Sequence, residues 1–155
     1  GRRCHSVAVV DGKIYAIGGL DSDDETLDLA EAYDPQADSW QQIASMPQAR
    51  QSHAATAVGG KIYVSGGGYY DGDIVTSTVT VFDPQVNTWT EVASMGTARK
   101  GHSSSVIGCK LYVFGGKTED GERTASVEVY DPASNTWAQV SDLSCARDEL
   151  ASVAL

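Results

Sequence analysis

One stretch of this chain settles its architecture: RQSHAATAVGGKIYVSGG, residues 50–67. The same order of residue types returns as RRCHSVAVVDGKIYAIGG at residues 2–19 and as RKGHSSSVIGCKLYVFGG at residues 99–116. Each copy runs from an arginine through a histidine and two short segments of small or β-branched residues to a glycine doublet. A self-similar period of this size marks a repeat protein, so the fold is built from copies of one unit.

Landmarks outside this stretch keep the same period. The arginines Arg2, Arg50, Arg99 and Arg147 are spaced by 48, 49 and 48 residues. Every unit also carries an Asp-Pro pair followed by a tryptophan, at Asp34, Asp83 and Asp131 and at Trp40, Trp89 and Trp137. The one insertion between units falls after the second doublet. Because surface connections tolerate length changes and framework elements do not, we predict a loop after each doublet.

Each unit predicts four short strands. The first strand follows the arginine and ends at a turn such as Asp11-Gly12, and the second ends at the doublet. The third strand ends at the Asp-Pro pair, and the fourth begins at the tryptophan. A four-stranded antiparallel sheet of about this length is a propeller blade.

We therefore predict an all-β protein, a β-propeller portion of three four-stranded antiparallel blades plus the first strand of a fourth. The repeat units are residues 2–49, 50–98 and 99–146, and the extra strand is residues 149–155. The whole chain, 1–155, is then a partial propeller.

The doublets and tryptophans are interpreted as structural. The glycines allow close backbone approach or a positive φ, and each tryptophan is a large apolar body that packs between neighbouring blades. The structural motif comprises Gly18, Gly19, Trp40, Gly66, Gly67, Trp89, Gly115, Gly116 and Trp137.

Composition excludes several classes of partner. The formal charge of −10, from 11 basic and 21 acidic residues, has the wrong sign for nucleic acid or an anionic lipid surface. The longest apolar runs span only a few residues, far below the roughly 20 that cross a bilayer, and no signal peptide is visible. Three cysteines without CxxC spacing favour a reducing compartment, the cytoplasm with the nucleus as an alternative.

The repeat resembles the kelch family. The resemblance rests on the doublets and on the aromatic-x6-Trp spacing from Tyr33 to Trp40, Phe82 to Trp89 and Tyr130 to Trp137, and it covers essentially the whole chain. The segments 87–92 and 145–147 look most like the propellers of BTB and BACK domain kelch proteins. This resemblance implies a module that binds a protein or peptide, as the substrate-recognition part of a cullin 3 ubiquitin ligase adaptor whose cullin contacts lie in domains outside this chain.

The blade count departs from a closed ring. Propellers close with four to eight blades, whereas three blades leave two open faces. Either the chain is part of a longer propeller, or two copies form a homodimer that completes a six-bladed ring. The first alternative is favoured, because the extra strand would compete in a dimer with residues 5–10 of the second copy.

The resemblance also implies which surface binds the partner. In kelch-type adaptors the residues after the repeated arginine and the loop after the doublet line the ligand-binding face. Tyr69 and Tyr70 stand in that loop outside every repeated aromatic position, and tyrosine is a frequent interface anchor. The partner-binding residues predicted here are Arg3, Gln51, Ser52, Tyr69, Tyr70, Asp71, Lys100, Lys117 and Glu119. The other two loops are strongly charged, either as solvated loops or as an acidic rim that steers a basic peptide.

The repeated histidines and arginines do not predict a ligand site. Repeat copying alone aligns His5, His53 and His102, and no carboxylate or thiolate recurs beside them, so no metal and no cofactor are expected. Each ring is expected to form a hydrogen bond near the start of the first strand. Each arginine is expected to donate to loop carbonyls or to a carboxylate of the adjacent blade.

Three classes of function remain in play. The leading hypothesis is a binding module that is not an enzyme. A cytoskeletal, actin-associated kelch scaffold differs from it only in partner. A kelch-type sugar-processing enzyme is the least favoured, because a copper oxidase site needs a Tyr or His beside a cysteine outside the repeated positions, and Cys4, Cys109 and Cys145 have none.

Overall fold

The computed structural model describes residues 1–69, 74–150 and 152. The first four strands are β1 (Ser6–Val10), β2 (Lys13–Ile17), β3 (Ala30–Asp34) and β4 (Ser39–Gln42). The next six are β5 (Ala54–Val58), β6 (Lys61–Ser65), β7 (Gly68–Tyr69), β8 (Ile74–Val75), β9 (Val79–Asp83) and β10 (Thr88–Val92). The last four are β11 (Ser103–Ile107), β12 (Lys110–Phe114), β13 (Val127–Asp131) and β14 (Thr136–Val140).

These strands form three antiparallel sheets of four, each in sequence order. Blade 1 is β1-β2-β3-β4, blade 2 is β5-β6-β9-β10, and blade 3 is β11-β12-β13-β14, while β7 and β8 form a separate hairpin. Within residues 1–69 and 74–150 no helix is present. The all-β fold and the three four-stranded blades are confirmed. Of the proposed extra strand, Glu149, Leu150 and Ser152 are described without strand structure, and the other residues lie outside the described part of the chain.

The hydrophobic core lies between the blades. Side chains alternate between the two faces of each sheet, and both faces carry apolar residues. One face of each blade packs on the opposite face of the next blade. Ile62, Val64 and Phe82 of blade 2 join the cluster around Tyr15 and Ile17 of blade 1. Leu111, Val113 and Tyr130 of blade 3 pack in the same way on Tyr63, Val79 and Val81 of blade 2. The three blades therefore form two interblade interfaces that are built in the same way.

The doublets have the role that the sequence predicts. Gly66 has a φ of +57° and Gly67 a φ of +93°, in the region that disfavours a side chain. A Cβ on Gly66 would lie 2.4 Å from the carbonyl oxygen of Arg99, where the chain enters the next blade. The doublet therefore needs glycine both for its backbone conformation and for the approach of the following blade.

The tryptophans join each blade to the one before it. The indole Nε1 of Trp89 donates to the carbonyl of Ala44 at 2.7 Å, and that of Trp137 donates to the carbonyl of Ala93 at 2.7 Å. Both rings are half-buried against the preceding blade. Trp40 of blade 1 is 52% exposed, since no blade of the described chain precedes it. Packing between blades thus holds for two of the three tryptophans.

Candidate partner-binding face

Two loops of every blade pair with each other at one end of the propeller. In blade 1 the amide of Arg3 donates to the carbonyl of Leu20 at 3.0 Å, and the amide of Leu20 donates back to Arg3 at 2.8 Å. Gln51 and Gly68 exchange the same two bonds in blade 2, and Lys100 and Lys117 exchange them in blade 3. The segment after each arginine and the segment after each doublet therefore meet. We call this end of the molecule the loop face.

A ladder of backbone hydrogen bonds connects the loop face from blade to blade. The amide of Ser52 donates to Cys4, that of Gly101 to Ser52 and that of Glu149 to Gly101, at 2.9, 2.8 and 2.7 Å. All four residues have a φ between 53° and 61°. A backbone held in this region points its amide and carbonyl in the directions that the neighbouring blades require. This ladder is not evident from the sequence, because a glycine marks the position only once, at Gly101.

The predicted site residues divide by exposure. Arg3 and Glu119 are exposed, whereas Ser52, Tyr69, Lys100 and Lys117 are half-buried. Gln51 is only 8% exposed, so its contribution to the loop face is the backbone hydrogen bonding with Gly68. Tyr70 and Asp71 lie outside the described residues and stay predictions. The structure brings the described members onto one face.

The blade 2 loop forms a hairpin, whereas the other two loops close with single bridges. β7 and β8 pair Tyr69 with Ile74 and Gly68 with Val75. Tyr69 is half-buried, Ile74 is 40% exposed and Val75 is buried. Directly paired residues point to the same side of a hairpin, so Tyr69 and Ile74 stand next to each other. The position of Tyr69 in the variable loop predicts its role, whereas nothing in the sequence indicates its pairing with Ile74.

Ion pairs restrain the charged loops on both sides of this hairpin. In blade 1 the guanidinium of Arg3 pairs with Asp24. In blade 3 Asp148 receives Arg123 and, at 2.9 Å, the Nζ of Lys117. Arg123 and then Lys117 lower the pKa of Asp148 to about 2, so this carboxylate is ionised at neutral pH. Basic side chains of the face are thus held by carboxylates of the same face.

The rings of two buried histidines pack against glycines of the doublets next to the loop face. His53 sits on Gly18 and His102 on Gly66, with ring atoms 2.8 and 2.7 Å from where a Cβ of the glycine would be. Leu150 occupies the same place on Gly115. The Nε2 of His102 lies 2.9 Å from the Oγ of Ser65, whereas both ring nitrogens of His53 lack a hydrogen-bond partner. The expected hydrogen bond is therefore present for His102 and absent for His53.

Buried arginines anchor the same loops. Arg99 is fully buried and donates to the carbonyls of Gly115 and Ser126 at 2.8 and 3.0 Å and to Glu128 at 2.7 Å. Arg50 donates to Gly66 and Thr78 of blade 2. The predicted donation to loop carbonyls is confirmed. The expected carboxylate of an adjacent blade is wrong, because Glu128 lies on β13 of the blade that Arg99 itself opens.

The described residues offer few groups for other chemistry. Across residues 1–69, 74–150 and 152, no three His, Cys, Asp or Glu side chains are placed to hold a metal ion together. The cysteines Cys4, Cys109 and Cys145 are free and exposed. In the same part of the chain, no helix has the length and apolar character to cross a membrane.

A cavity of about 360 Å³ lies at the opposite end of the molecule, between blades 2 and 3. Its lining includes Tyr63, Tyr130 and Val86, together with the ion pair between Lys61 and Asp83 at 2.9 Å. Lys13 with Asp34 and Lys110 with Asp131 repeat this pair in the other blades. Because the pair recurs in every blade, it belongs to the scaffold rather than to a ligand site.

Two families of kelch repeats match this chain. The FKB95, Kelch-repeats domain family matches residues 41–154, and the Kelch motif family matches residues 1–47. The chain belongs to the kelch repeat family. Kelch repeats indicate a protein-interaction module.

The kelch chain is similar to short parts of much longer relatives. Kelch-like protein terF of Aspergillus terreus is 46% identical over 68 residues, which cover 40% of this chain and 15% of that protein. Alpha-scruin of Limulus polyphemus is 41% identical over 66 residues, covering 43% and 7%. Human Kelch-like protein 33 is 39% identical over 66 residues, covering 43% and 12%.

A solved structure of YjhT has the same fold. It matches 95% of this kelch chain with a TM-score of 0.81 and 20% sequence identity, and the match covers 54% of that chain. The expectation that the chain is not an enzyme is wrong as an exclusion, since YjhT is a kelch-fold enzyme. At this identity the likeness concerns the fold alone.

Proposed function

We propose that the loop face binds a segment of another protein, as the substrate-recognition part of a cullin 3 ubiquitin ligase adaptor. The observation that carries the binding role is the pairing of the two variable loops in every blade, joined from blade to blade by the backbone ladder from Cys4 to Glu149. Side chains that differ from unit to unit are thereby presented on a fixed backbone. Such a surface fits recognition, because binding residues sit preferentially on loops that a rigid scaffold positions.

The ligase setting is supported by the resemblance to the propellers of BTB and BACK kelch proteins. The similarity to human Kelch-like protein 33 agrees with it. In this setting the propeller selects the substrate and other domains contact cullin 3. We expect the natural protein to co-purify with cullin 3, and this chain alone not to do so.

A cytoskeletal scaffold is the second candidate, favoured by the similarity to alpha-scruin. It is tested by co-sedimentation of this chain with actin filaments. Saturable co-sedimentation that the loop-face variant described next abolishes would favour the scaffold over the adaptor.

Peptide selection tests the binding role itself. Peptides are selected by phage display against the chain, and their affinities are measured by fluorescence anisotropy. The loop-face variant Arg3→Glu with Glu119→Arg reverses two exposed charges and keeps the net charge. Its matched control, Gln85→Arg with Val86→Glu, also keeps the net charge and changes exposed residues at the opposite end.

We expect the loop-face variant to weaken binding about tenfold, near 1.4 kcal/mol, and the control to leave it unchanged. Equal affinities for both variants and the wild type would show that the peptides bind elsewhere, and the proposed function would then be wrong.

A further inference from the structure

The paired residues Tyr69 and Ile74 of the blade 2 loop differ in character from the equivalent pairs of the neighbouring blades. In blade 1 the amide of Asp21 donates to the carbonyl of Glu25 at 3.1 Å, and in blade 3 Thr118 donates in the same way to Glu122 at 2.9 Å. The corresponding pair in blade 2 is Tyr69 and Ile74. An aromatic and an aliphatic side chain therefore occupy positions that hold Asp21 and Glu25 in blade 1 and Thr118 and Glu122 in blade 3.

The flanks of this apolar pair carry excess negative charge. The blade 1 flank has Asp21, Asp23, Asp24 and Glu25, and the blade 3 flank has Glu119, Asp120, Glu122, Asp148 and Glu149. The basic residues described on the same face are Arg3, Lys100, Lys117 and Arg123. Acidic residues outnumber basic ones on both flanks. Several carboxylates, such as those of Glu25, Glu119 and Glu122, are exposed and available to a basic ligand.

This combination defines the chemistry of a partner. Apolar area gives affinity when a partner removes it from water, and Ile74 is 40% exposed beside Tyr69. Opposite charge around the contact selects the partner and accelerates its association. An acidic segment would meet repulsion on both sides of the hairpin, whereas a basic one would meet carboxylates.

We propose that the loop face binds a basic segment that carries one large apolar side chain, with the apolar group on Tyr69 and Ile74 and Lys or Arg residues facing the blade 1 and blade 3 loops. This proposal rests on the proposed function and names its class of partner. A basic segment without a large apolar side chain and an acidic segment are the alternatives that the test has to separate.

Three synthetic pentapeptides provide the probes. The first has a central Leu with two Lys on each side, the second replaces the Leu by Ser, and the third replaces every Lys by Glu. Anisotropy titrations at low and high NaCl concentration measure their affinities for the wild-type chain. We expect the first peptide to bind at least about tenfold more tightly than either other peptide, with an affinity that falls as salt rises.

Two variants locate the contact. Ile74→Ser removes exposed apolar area, and we expect it to weaken the first peptide about fivefold or more without changing the melting temperature. Val86→Ser is the matched control, since Val86 is 63% exposed at the opposite end. Glu25→Gln with Glu122→Gln is expected to reduce the dependence of affinity on salt.

Several outcomes would overturn the proposal: no binding of the first peptide at millimolar concentration, equal binding of the Glu peptide, or an unchanged affinity after Ile74→Ser. The result of phage display separates this failure from failure of the proposed function. Selected peptides that bind the loop face but have acidic or neutral flanks would preserve the proposed function and refute this class of partner.

Discussion

His53 and His102 act as packing bodies rather than as titrating groups. Burial, with a contribution from the nearby Arg50 or Arg99, lowers the pKa of each ring to about 3 from an ordinary value of 6.5. Leu150 takes the equivalent place on Gly115, so an aliphatic side chain satisfies the same position. The histidines therefore stay neutral in the folded chain throughout the physiological range.

This neutrality makes the fold sensitive to acid. Below pH 6.5 the unfolded chain binds protons at both rings and the folded chain does not, so stability falls as pH falls toward 3. Each ring contributes a slope of about 1.4 kcal/mol per pH unit. We expect His53→Leu to halve this combined slope between pH 6 and 4.5 and to change stability little at pH 8, as measured by urea unfolding.

His102→Leu is the informative comparison. It removes the same titration but leaves the buried Oγ of Ser65 without its partner, which costs about 1–3 kcal/mol at every pH. An unchanged slope in both variants would show that the rings are accessible to protons in the folded state.

The buried arginines illustrate how two residues change together. Glu128 accepts hydrogen bonds from Arg99 at 2.7 Å and from the amides of Gly96 and Thr97 at 2.6 and 3.1 Å. In blade 2 Thr80 replaces this glutamate, and Pro47, which has no amide hydrogen, replaces Gly96. Burial lowers the pKa of Arg50, which lacks the carboxylate, to about 10. Blade 3 therefore has both the carboxylate of Glu128 and the free amide of Gly96, whereas blade 2 has neither group at the equivalent positions.

Glu128→Thr tests this coupling by giving blade 3 the blade 2 arrangement. Removing one partner of a buried ion pair leaves Arg99 uncompensated, so we expect a loss of about 3–5 kcal/mol in the free energy of unfolding. Adding Gly96→Pro removes an amide that would otherwise be unsatisfied, so the double variant should lose less than the sum of the two single variants. Additive losses in this double-mutant cycle would argue against the coupling.

At the scale of the element, the glycine doublet after the second strand of each blade is the clearest structural constraint in the sequence. Gly66 and Gly59 have φ values of +57° and +58°, but only Gly66 has an atom of the next blade within reach of a Cβ. Gly59→Ala therefore measures the backbone strain alone, about 1–2 kcal/mol. Gly66→Ala should cost about 1–3 kcal/mol more, because Arg99 has to move. Equal melting temperatures for the two variants would contradict close approach as the reason for the doublet.

Features marked by the same residue type in every unit could be predicted from the sequence. Contacts at positions where the residue type changes from unit to unit could not. The strands, the doublets and the interblade tryptophans recur in every unit, so three copies identify them. The ladder could not be found in this way, because Cys4, Ser52, Gly101 and Glu149 share a backbone conformation but no residue type. Burial of Gln51 was missed for a similar reason, since loop position alone does not show which side of the backbone is covered.

At the scale of the whole molecule, the outer face of blade 1 is not covered by another blade of the described chain, whereas the equivalent faces of blades 2 and 3 are covered. Ala57 and Ile62 of blade 2 pack on blade 1, and Ile62 is fully buried. Their equivalents in blade 1, Val9 and Ile14, are 59% and 36% exposed. Within the described part of the chain no blade covers these side chains. Exposed apolar residues on adjacent strands favour association, because contact removes them from water.

We therefore expect this 155-residue chain to associate as its concentration rises, as light scattering would show by masses above 16.4 kDa. Val9→Glu should shift association to higher concentration, since it places a charge in the centre of the face. Val86→Glu adds the same charge at a residue that is 63% exposed but lies between β9 and β10 of blade 2, away from the outer face of blade 1, so it controls for net charge. If both variants reduced association equally, general repulsion would explain the effect. If the wild-type chain kept a mass of 16.4 kDa at every concentration, the outer face of blade 1 would not be adhesive on its own.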